Sequence, residues 1–185
     1  SHPGSATVSL PVKRFRARKP KRRIGSMLVN PGGPGFGGSI LAEQAPAMFS
    51  ATILDRFDII GWDPRGTGGS RPAVDCISDY DRFFAVDTDS DTPNGKQADV
   101  TLSKEFAQDC AAKNGDLLAH ISTQDTARDM ELLRRALGEV RISYFGFSYG
   151  SELGATWATM FPTRVRAMVI DGAADPNASA IQGTI

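Results

Sequence analysis

The hydrophobic pattern of this chain changes repeatedly between a strand-like and a helix-like period. Short apolar runs end in glycine-rich or proline-rich turns, as buried parallel strands do, at residues 26–30, 57–62, 141–146 and 166–171. An earlier segment, residues 6–12, alternates small or apolar residues with polar ones. It predicts a partly exposed strand that precedes a basic turn.

Helical spacing occurs between these runs. It is clearest over residues 123–137, where apolar side chains recur at three- and four-residue intervals. A second helix is predicted over residues 149–161, because Pro162 cannot continue it. Residues 71–115 are less regular and predict a long surface excursion around two short helices. The alternation of strands and helices predicts an α/β fold, with a mostly parallel sheet and helices on both faces.

The composition fits one globular core over residues 1–185, since 41% of the residues are hydrophobic. Lys and Arg total 21 and Asp and Glu total 21, so no overall field would recruit nucleic acid or an anionic membrane. No apolar run approaches the roughly 18 residues of a transmembrane segment. The start lacks Met and an apolar signal core, and we expect a mature or trimmed product.

The densest charge lies at residues 13–23, which are mostly Lys and Arg. Such a run could form a nucleic-acid or anionic-surface patch. Its position between two predicted strands, with Pro20 near its middle, favours a solvated hairpin instead.

Gly146-Phe147-Ser148-Tyr149-Gly150 matches the pattern G-x-S-x-G, directly after a predicted strand and directly before a predicted helix. A sharp turn between strand and helix would leave Ser148 exposed above the sheet, and the flanking glycines would avoid collisions there. We therefore predict that Ser148 is a catalytic nucleophile, which needs a base to act at neutral pH.

The glycine-rich segment 30–38 follows another predicted strand and predicts an oxyanion-binding loop. An acyl-transfer enzyme aims two backbone N–H groups at the developing oxyanion, one of them from the residue after the nucleophile. Tyr149 would supply that N–H group. For the second we choose Gly33, because the flanking prolines have no N–H to donate; Gly32 and Gly35 remain alternatives. A phosphate-binding loop is less favoured, because the usual phosphate-loop patterns are absent.

Two further groups of residues have structural interpretations. Asp63 and Arg65, in the turn 63–70, are expected to satisfy loop backbone rather than to act in catalysis. Cys76 and Cys110 are too few and too widely spaced for a zinc site, which leaves a disulfide or two free thiols. The Asp-, Gly- and Ser-rich stretch between them favours a disulfide, provided that the compartment is oxidising.

The base expected for Ser148 is not found in the chain. In enzymes that carry G-x-S-x-G in such a turn between a strand and a helix, the triad order along the chain is Ser, then Asp or Glu, then His. His2 and His120 both precede Ser148, so we expect a surface or helix-entry role for His120 and no catalytic role for His2. Asp171 could orient an imidazole, but a structural role is favoured.

Four segments of the chain, taken together, resemble those of a known family. The segments 30–35, 63–66, 146–150 and 171–176, in this order and spacing, look like the tripeptidyl aminopeptidase branch of the prolyl-aminopeptidase-like α/β-hydrolases. The resemblance implies an α/β-hydrolase core of which this chain is the N-terminal portion, without the helical cap and the last strands. It also implies release of short peptides from a free N-terminus and a secreted or cell-envelope location. Many secreted members have a cysteine pair at the positions of Cys76 and Cys110, so the resemblance implies a disulfide between these two residues.

The missing triad residues and a last apolar strand edge lead to a partner prediction. We expect a peptide substrate and, as a second chain, the C-terminal fragment of the same precursor, which would supply the Asp and the His. No metal or cofactor is required. The leading function is a serine exopeptidase; an esterase or other acyl hydrolase, or a non-catalytic binding protein on a hydrolase scaffold, are the alternatives.

Overall fold

A computed structural model describes residues 7–85 and 91–173. His2 and the segment 174–185, with the Asp175-Pro176 motif, lie outside the described residues. The described residues form two compact units, one of Val74–His120 and the other of the preceding and following residues. Within the described ranges no helix has both the length and the apolar character needed to cross a bilayer.

The first unit is built on a five-stranded sheet. Its strands are β1 (Val12–Phe15), β2 (Gly25–Asn30), β3 (Phe57–Trp62), β4 (Ile142–Phe147) and β5 (Val165–Asp171). The helices along the whole chain are α1 (Ser39–Glu43), α2 (Ala45–Met48), α3 (Ala51–Arg56), α4 (Asp81–Phe84), α5 (Pro93–Asn114), α6 (Thr123–Ala136) and α7 (Tyr149–Met160). Short 3₁₀ helices lie at Pro20–Arg22, Gly115–His120 and Pro162–Arg164.

The strand order is β1-β3-β2-β4-β5, and every pair except β1 with β3 is parallel. Strands lie at all four predicted apolar runs, with ends that differ by at most one residue. Burial is confirmed for β2, β3 and β4, but the expectation was wrong for β5, which is the last strand on its side of the described sheet and is partly exposed. The long helices predicted before and after β4 are confirmed as α6 and α7.

Apolar side chains cover both faces of this sheet. On one face, Leu28 and Ile60 pack with residues of α6 and α7, among them Met130 and Trp157. On the other face the alternate strand residues pack against α1, α2 and α3 in a second cluster of Met27, Val29, Leu41, Ala45, Leu54 and Ile59. Burial on both faces explains the nearly continuous apolar runs of β2, β3 and β4. The predicted α/β class, with helices on both faces of the sheet, is confirmed.

The first strand is not where the alternation placed it. Residues 6–12 were expected to form it, but β1 lies at Val12–Phe15, inside the basic segment, and Ser9 makes only an isolated bridge with Arg71. The basic segment is mostly exposed, as expected, but it does not form a hairpin, because β1 pairs with β3 and not with β2. Arg14 donates to the buried Asp58 carboxylate at 2.5 Å, and Lys13 pairs with Glu43.

The second unit, Val74–His120, contains α4, α5 and the 3₁₀ helix Gly115–His120. The predicted disulfide between Cys76 and Cys110 is confirmed. The expectation of two short helices was wrong for α5, which extends over 22 residues. Thr92 caps this helix by accepting the N–H of Gly95 at 3.1 Å, and Pro93 occupies its first turn.

Candidate active site

The predicted site residues lie at the carboxyl end of the sheet, where the direction of the chain connections changes. After β2 the chain continues to β3 on one side, whereas β4 pairs with β2 on the other side. Loops that leave neighbouring strands in opposite directions open a crevice in α/β sheets, and ligands bind there. Asn30 is in register with Gly146, so the loops after β2 and β4 start side by side.

Ser148 occupies the bend between β4 and α7. Its backbone has φ 50° and ψ −124°, a left-handed conformation that no other non-glycine residue in the described ranges adopts. The Ser148 N–H donates to the carbonyl oxygen of Asp171 at 2.7 Å, and its carbonyl oxygen accepts the N–H of Ser151 at 2.7 Å. These bonds hold a strained residue whose side chain is exposed to solvent.

Close backbone contacts require glycine around this bend. A Cβ atom on Gly146 would lie 2.4 Å from the carbonyl oxygen of Gly150. A Cβ atom on Gly32, whose φ is +100°, would lie 2.7 Å from the carbonyl oxygen of Phe147 and 3.0 Å from the Cβ of Ser148. The glycine-rich loop after β2 therefore lies against the serine, as the sequence predicts.

The N–H groups of Gly33, of Gly35 and of Tyr149, the first residue of α7, have no acceptor among residues 7–85 and 91–173. Gly33 is exposed, whereas Gly32 is buried and donates its N–H to the Oδ1 atom of Asn30 at 2.9 Å. Because this bond uses the N–H group of Gly32, that group is not free to bind an oxyanion, and Gly35 is the remaining alternative to Gly33.

The turn after β3 is structural. Asp63 accepts the N–H of Ser39 at 3.0 Å and of Gly69 at 2.8 Å. Burial of the Asp63 carboxyl opposes ionisation, but these donors outweigh it and hold the pKa of Asp63 below its usual value. The guanidinium of Arg65 donates to both carboxylate oxygens of Asp129, at 2.8 and 2.7 Å.

Asp171 and His120 are the remaining titratable candidates of the sequence. Asp171 contacts the bend through its backbone, because its carbonyl oxygen accepts the Ser148 N–H and, at 3.1 Å, the Ser151 hydroxyl. This contact agrees with the structural role favoured for Asp171. His120 is exposed at the end of its 3₁₀ helix. Within the described residues no three His, Cys, Asp or Glu side chains group together as metal ligands.

Sequence reasoning missed several residues that shape the site. The side chain of Asn30 is buried and fixes the start of the glycine loop. The hydroxyl of the buried Tyr144 donates to the carbonyl oxygen of Gly150 at 2.7 Å, and burial raises the pKa of this phenol. Glu152 lies in the first turn of α7 and lines a cavity beside the bend. The polar side chain of Asn30 at the end of an apolar strand was the available signal for its role.

Comparisons with known proteins agree with this geometry. Residues 25–183 match the family model described as the alpha/beta hydrolase fold. The chain is 39% identical to the serine protease Hip1 of Mycobacterium tuberculosis over 99% of its own length and 35% of that protein. It is 37% identical to a tripeptidyl aminopeptidase of Streptomyces coelicolor over 86% of its length and 30% of that protein. It is 42% identical to carboxylesterase B of M. tuberculosis over 99% of its length and 36% of that protein.

Solved structures support the fold. The juvenile hormone epoxide hydrolase of the silkworm Bombyx mori superposes with a TM-score of 0.53 at 16% identity, covering 88% of this chain and 32% of that one. A thermophilic esterase of Thermogutta terrifontis gives a TM-score of 0.50 at 15% identity, covering 88% of this chain and 40% of that one. The chain thus spans about a third of the length of its curated relatives. From the match over residues 25–183 and the geometry around Ser148, the chain belongs to the α/β-hydrolase family.

Proposed function

We propose that this chain carries the nucleophile of a serine hydrolase that releases short peptides from the N-terminus of peptide substrates. The observation that carries the proposal is the exposed hydroxyl of Ser148, held in left-handed backbone at a bend between a strand and a helix. The names of the Hip1 protease and of the Streptomyces tripeptidyl aminopeptidase support the choice of peptides as substrates.

The reaction would proceed through an acyl-enzyme. The Oγ atom of Ser148 attacks the carbonyl carbon of the scissile peptide bond, and its proton passes to an imidazole. The carbonyl oxygen, now an oxyanion, accepts the N–H groups of Gly33 and Tyr149, and the positive N-terminal end of α7 adds to this stabilisation. The imidazolium returns the proton to the departing amine, and water then hydrolyses the ester on Ser148.

The imidazole is proposed to come from outside these 185 residues. Both histidines of the chain precede Ser148, and the fold places its Asp and His after the nucleophile. We propose that the C-terminal portion of the same precursor, as a second chain, supplies both, so that residues 1–185 contribute the N-terminal portion of the core. The disulfide Cys76–Cys110 supports a secreted or cell-envelope location, since oxidising compartments preserve such bonds.

A second candidate is an esterase with the same nucleophile, which the 42% identity to carboxylesterase B favours. The native protein should be assayed on N-terminally unblocked peptide amides and on short acyl esters, with its Ser148→Ala variant beside it. The proposal predicts cleavage of the peptides by the native protein, with a loss of at least about 10³-fold in the variant. Hydrolysis of the esters alone would overturn the peptidase assignment in favour of the esterase.

A further inference from the structure

A cavity of about 550 Å³ lies beside the bend that carries Ser148, entirely within the first unit. The glycine loop after β2, the turn after β3, the entry to α6 and the first turn of α7 enclose it. Its walls are partly apolar, formed by side chains that include Pro34, Phe36, Pro64 and Ile121. Phe36 is 68% exposed, which is unusual for a large aromatic side chain and suits a surface that contacts a ligand.

One basic and one acidic side chain line this cavity, and their surroundings differ. The Arg65 guanidinium is bound through two nitrogens to the carboxylate of Asp129, and Asp125 lies close enough to contribute to the raised pKa of Arg65. Glu152 is partly buried, yet it accepts no hydrogen bond and forms no ion pair with any residue in the ranges 7–85 and 91–173. The positive charge is therefore balanced, while the carboxylate has no such partner.

Helix geometry places Glu152 close to the reacting centre. It lies three residues after Tyr149, so the two side chains share a face of α7, about one helical turn apart. The Tyr149 hydroxyl lies 2.9 Å from the Oγ1 atom of Thr123. Burial and the negative charge of Glu152 both raise the pKa of the Tyr149 phenol, which agrees with a carboxylate near that ring.

A partly buried carboxylate without a counter-charge favours a cationic ligand, because desolvation penalises the lone charge and an ion pair offsets the penalty. Apolar walls around it suit the carbon skeleton of an amino-acid residue. A substrate of one to three residues on the acyl side of Ser148 extends at most about 3.5 to 11 Å, so its N-terminal end stays near the first turn of α7, where Glu152 lines the cavity. A primary ammonium group is the cation that every substrate with a free N-terminus carries.

We propose that Glu152 is a specificity-determining residue that binds a primary ammonium group of the substrate. This inference rests on the proposed acylation of Ser148 by peptides. The ammonium group can come from the free N-terminus of the peptide or from a lysine side chain, and both have the same chemistry toward a carboxylate.

The test uses two matched pairs of peptide amides with the native protein and its Glu152→Gln variant. One pair has a free or an acetylated N-terminus, and the other has lysine or norleucine next to the scissile bond. The proposal predicts that kcat/KM of the native protein favours the ammonium member of at least one pair by roughly 10- to 100-fold. Glu152→Gln should bring that ratio close to one, and the pair that responds identifies the source of the ammonium group.

The Glu105→Gln variant is the matched control, since it removes the same charge from a residue of the second unit and should keep the native ratio. An unchanged ratio in Glu152→Gln would overturn the inference while leaving the proposed function intact. If no peptide is cleaved, the inference is tested by binding: butylammonium, but not butanol, should slow the reaction of Ser148 with a fluorophosphonate, and only when Glu152 is present. Equal effects of the two compounds would also overturn it.

Discussion

The position of the Ser148 side chain depends on a few main-chain atoms that are held close together. Ser148 adopts a backbone conformation that costs about 1 to 3 kcal/mol in isolation. The hydrogen bond to the carbonyl oxygen of Asp171 and the contact with Gly32 hold it there. Small changes in this packing should therefore affect reactivity more than they affect the rest of the fold.

The two glycines at positions 32 and 35 offer a matched test of that packing. Both have a positive φ, +100° and +106°, but a Cβ atom at Gly32 would meet Phe147 and Ser148, whereas one at Gly35 would meet nothing within 4 Å. Gly32→Ala should lower the rate of Ser148 acylation by at least about tenfold more than Gly35→Ala, because only Gly32→Ala displaces the loop from the bend.

The measurement is the rate at which a fluorophosphonate reacts with each variant, with thermal unfolding recorded beside it. Both variants carry the same conformational strain, so the comparison isolates the contact with Ser148. Equal rates in the two variants would show that the close approach of Gly32 does not position the serine.

At the element scale, an ion-pair network connects the strands at the end of the sheet opposite to Ser148. The Asp58 carboxylate of β3 accepts the N–H of Ala17 at 2.8 Å and the guanidinium groups of Arg14 and Arg23. Burial of the carboxyl opposes ionisation, but these donors outweigh it and hold the pKa of Asp58 below its usual value.

Glu139, in the connection before β4, belongs to the same network. It accepts the N–H of Ser26 at 2.8 Å and donors of Arg23 at 2.6 Å and Arg166 at 2.9 Å. Burial again opposes ionisation, and again the donors hold the pKa below the usual value of 4.5. The two carboxylates thus link β2, β3 and β5 through arginines.

This network predicts acid-sensitive stability. A carboxylate with a lowered pKa in the folded state contributes stability above its unfolded pKa and loses that contribution as the pH falls through its folded pKa. The free energy of unfolding should therefore fall between about pH 5 and pH 3. Glu139→Gln should cost about 1 to 3 kcal/mol at neutral pH and should reduce this dependence, because the substituted group no longer titrates.

Urea unfolding of the native protein and the Glu139→Gln variant at several pH values measures the effect. If the two proteins lose stability equally between pH 5 and pH 3, Glu139 does not stabilise the sheet in the manner described.

The sequence predicts an element correctly where burial determines its residue types. It fails where side-chain partners far away in the sequence determine them. Strands β2, β3 and β4 are apolar because they are covered on both faces, so their sequences alone identify them, and β5 is recognised by its apolar run although much of it is exposed. β1 was not predicted, because Lys13 and Arg14 are residue types typical of solvated segments. Their charges pair with Glu43 and Asp58, which lie more than 25 positions away in sequence. Nothing local to the basic segment indicates those partners.

The long helix α5 was missed for a different reason. Its polar and apolar residues do not separate onto two faces, and Pro93, Asn94 and Gly95 resemble a turn. The N-cap at Thr92 followed by proline was a start signal that could have found it. Within the site, G-x-S-x-G was enough to locate Ser148, whereas Glu152 acquires its environment only when four separate segments meet around one cavity.

At the scale of the whole molecule, β5 is the last strand on its side of the described sheet. Val169 is 54% exposed and Ile170 is 38% exposed, which is a large apolar exposure for a sheet edge. An uncovered edge of this kind favours association with another strand. It supports the proposal that the C-terminal portion of the precursor continues the sheet.

That proposal predicts the composition of the native protein. Intact-mass analysis should find the C-terminal portion together with this chain, and hydrogen exchange should show β5 amides protected as strongly as those of β4. A soluble, monodisperse species of 19.8 kDa, with rapidly exchanging β5 amides, would contradict the predicted partner.

Covalent labelling of the native protein shows which serine is the nucleophile. Native protein treated with a fluorophosphonate and digested with trypsin gives a peptide, cleaved after Arg141 and Arg164, that contains Ser143, Ser148 and Ser151. Ser143, on the same peptide, serves as the matched control. It is buried, and its hydroxyl has no hydrogen-bond partner among the described residues. The account predicts a single adduct on Ser148 that is lost in Ser148→Ala and kept in Ser143→Ala. An adduct on another serine, or none at all, would contradict it.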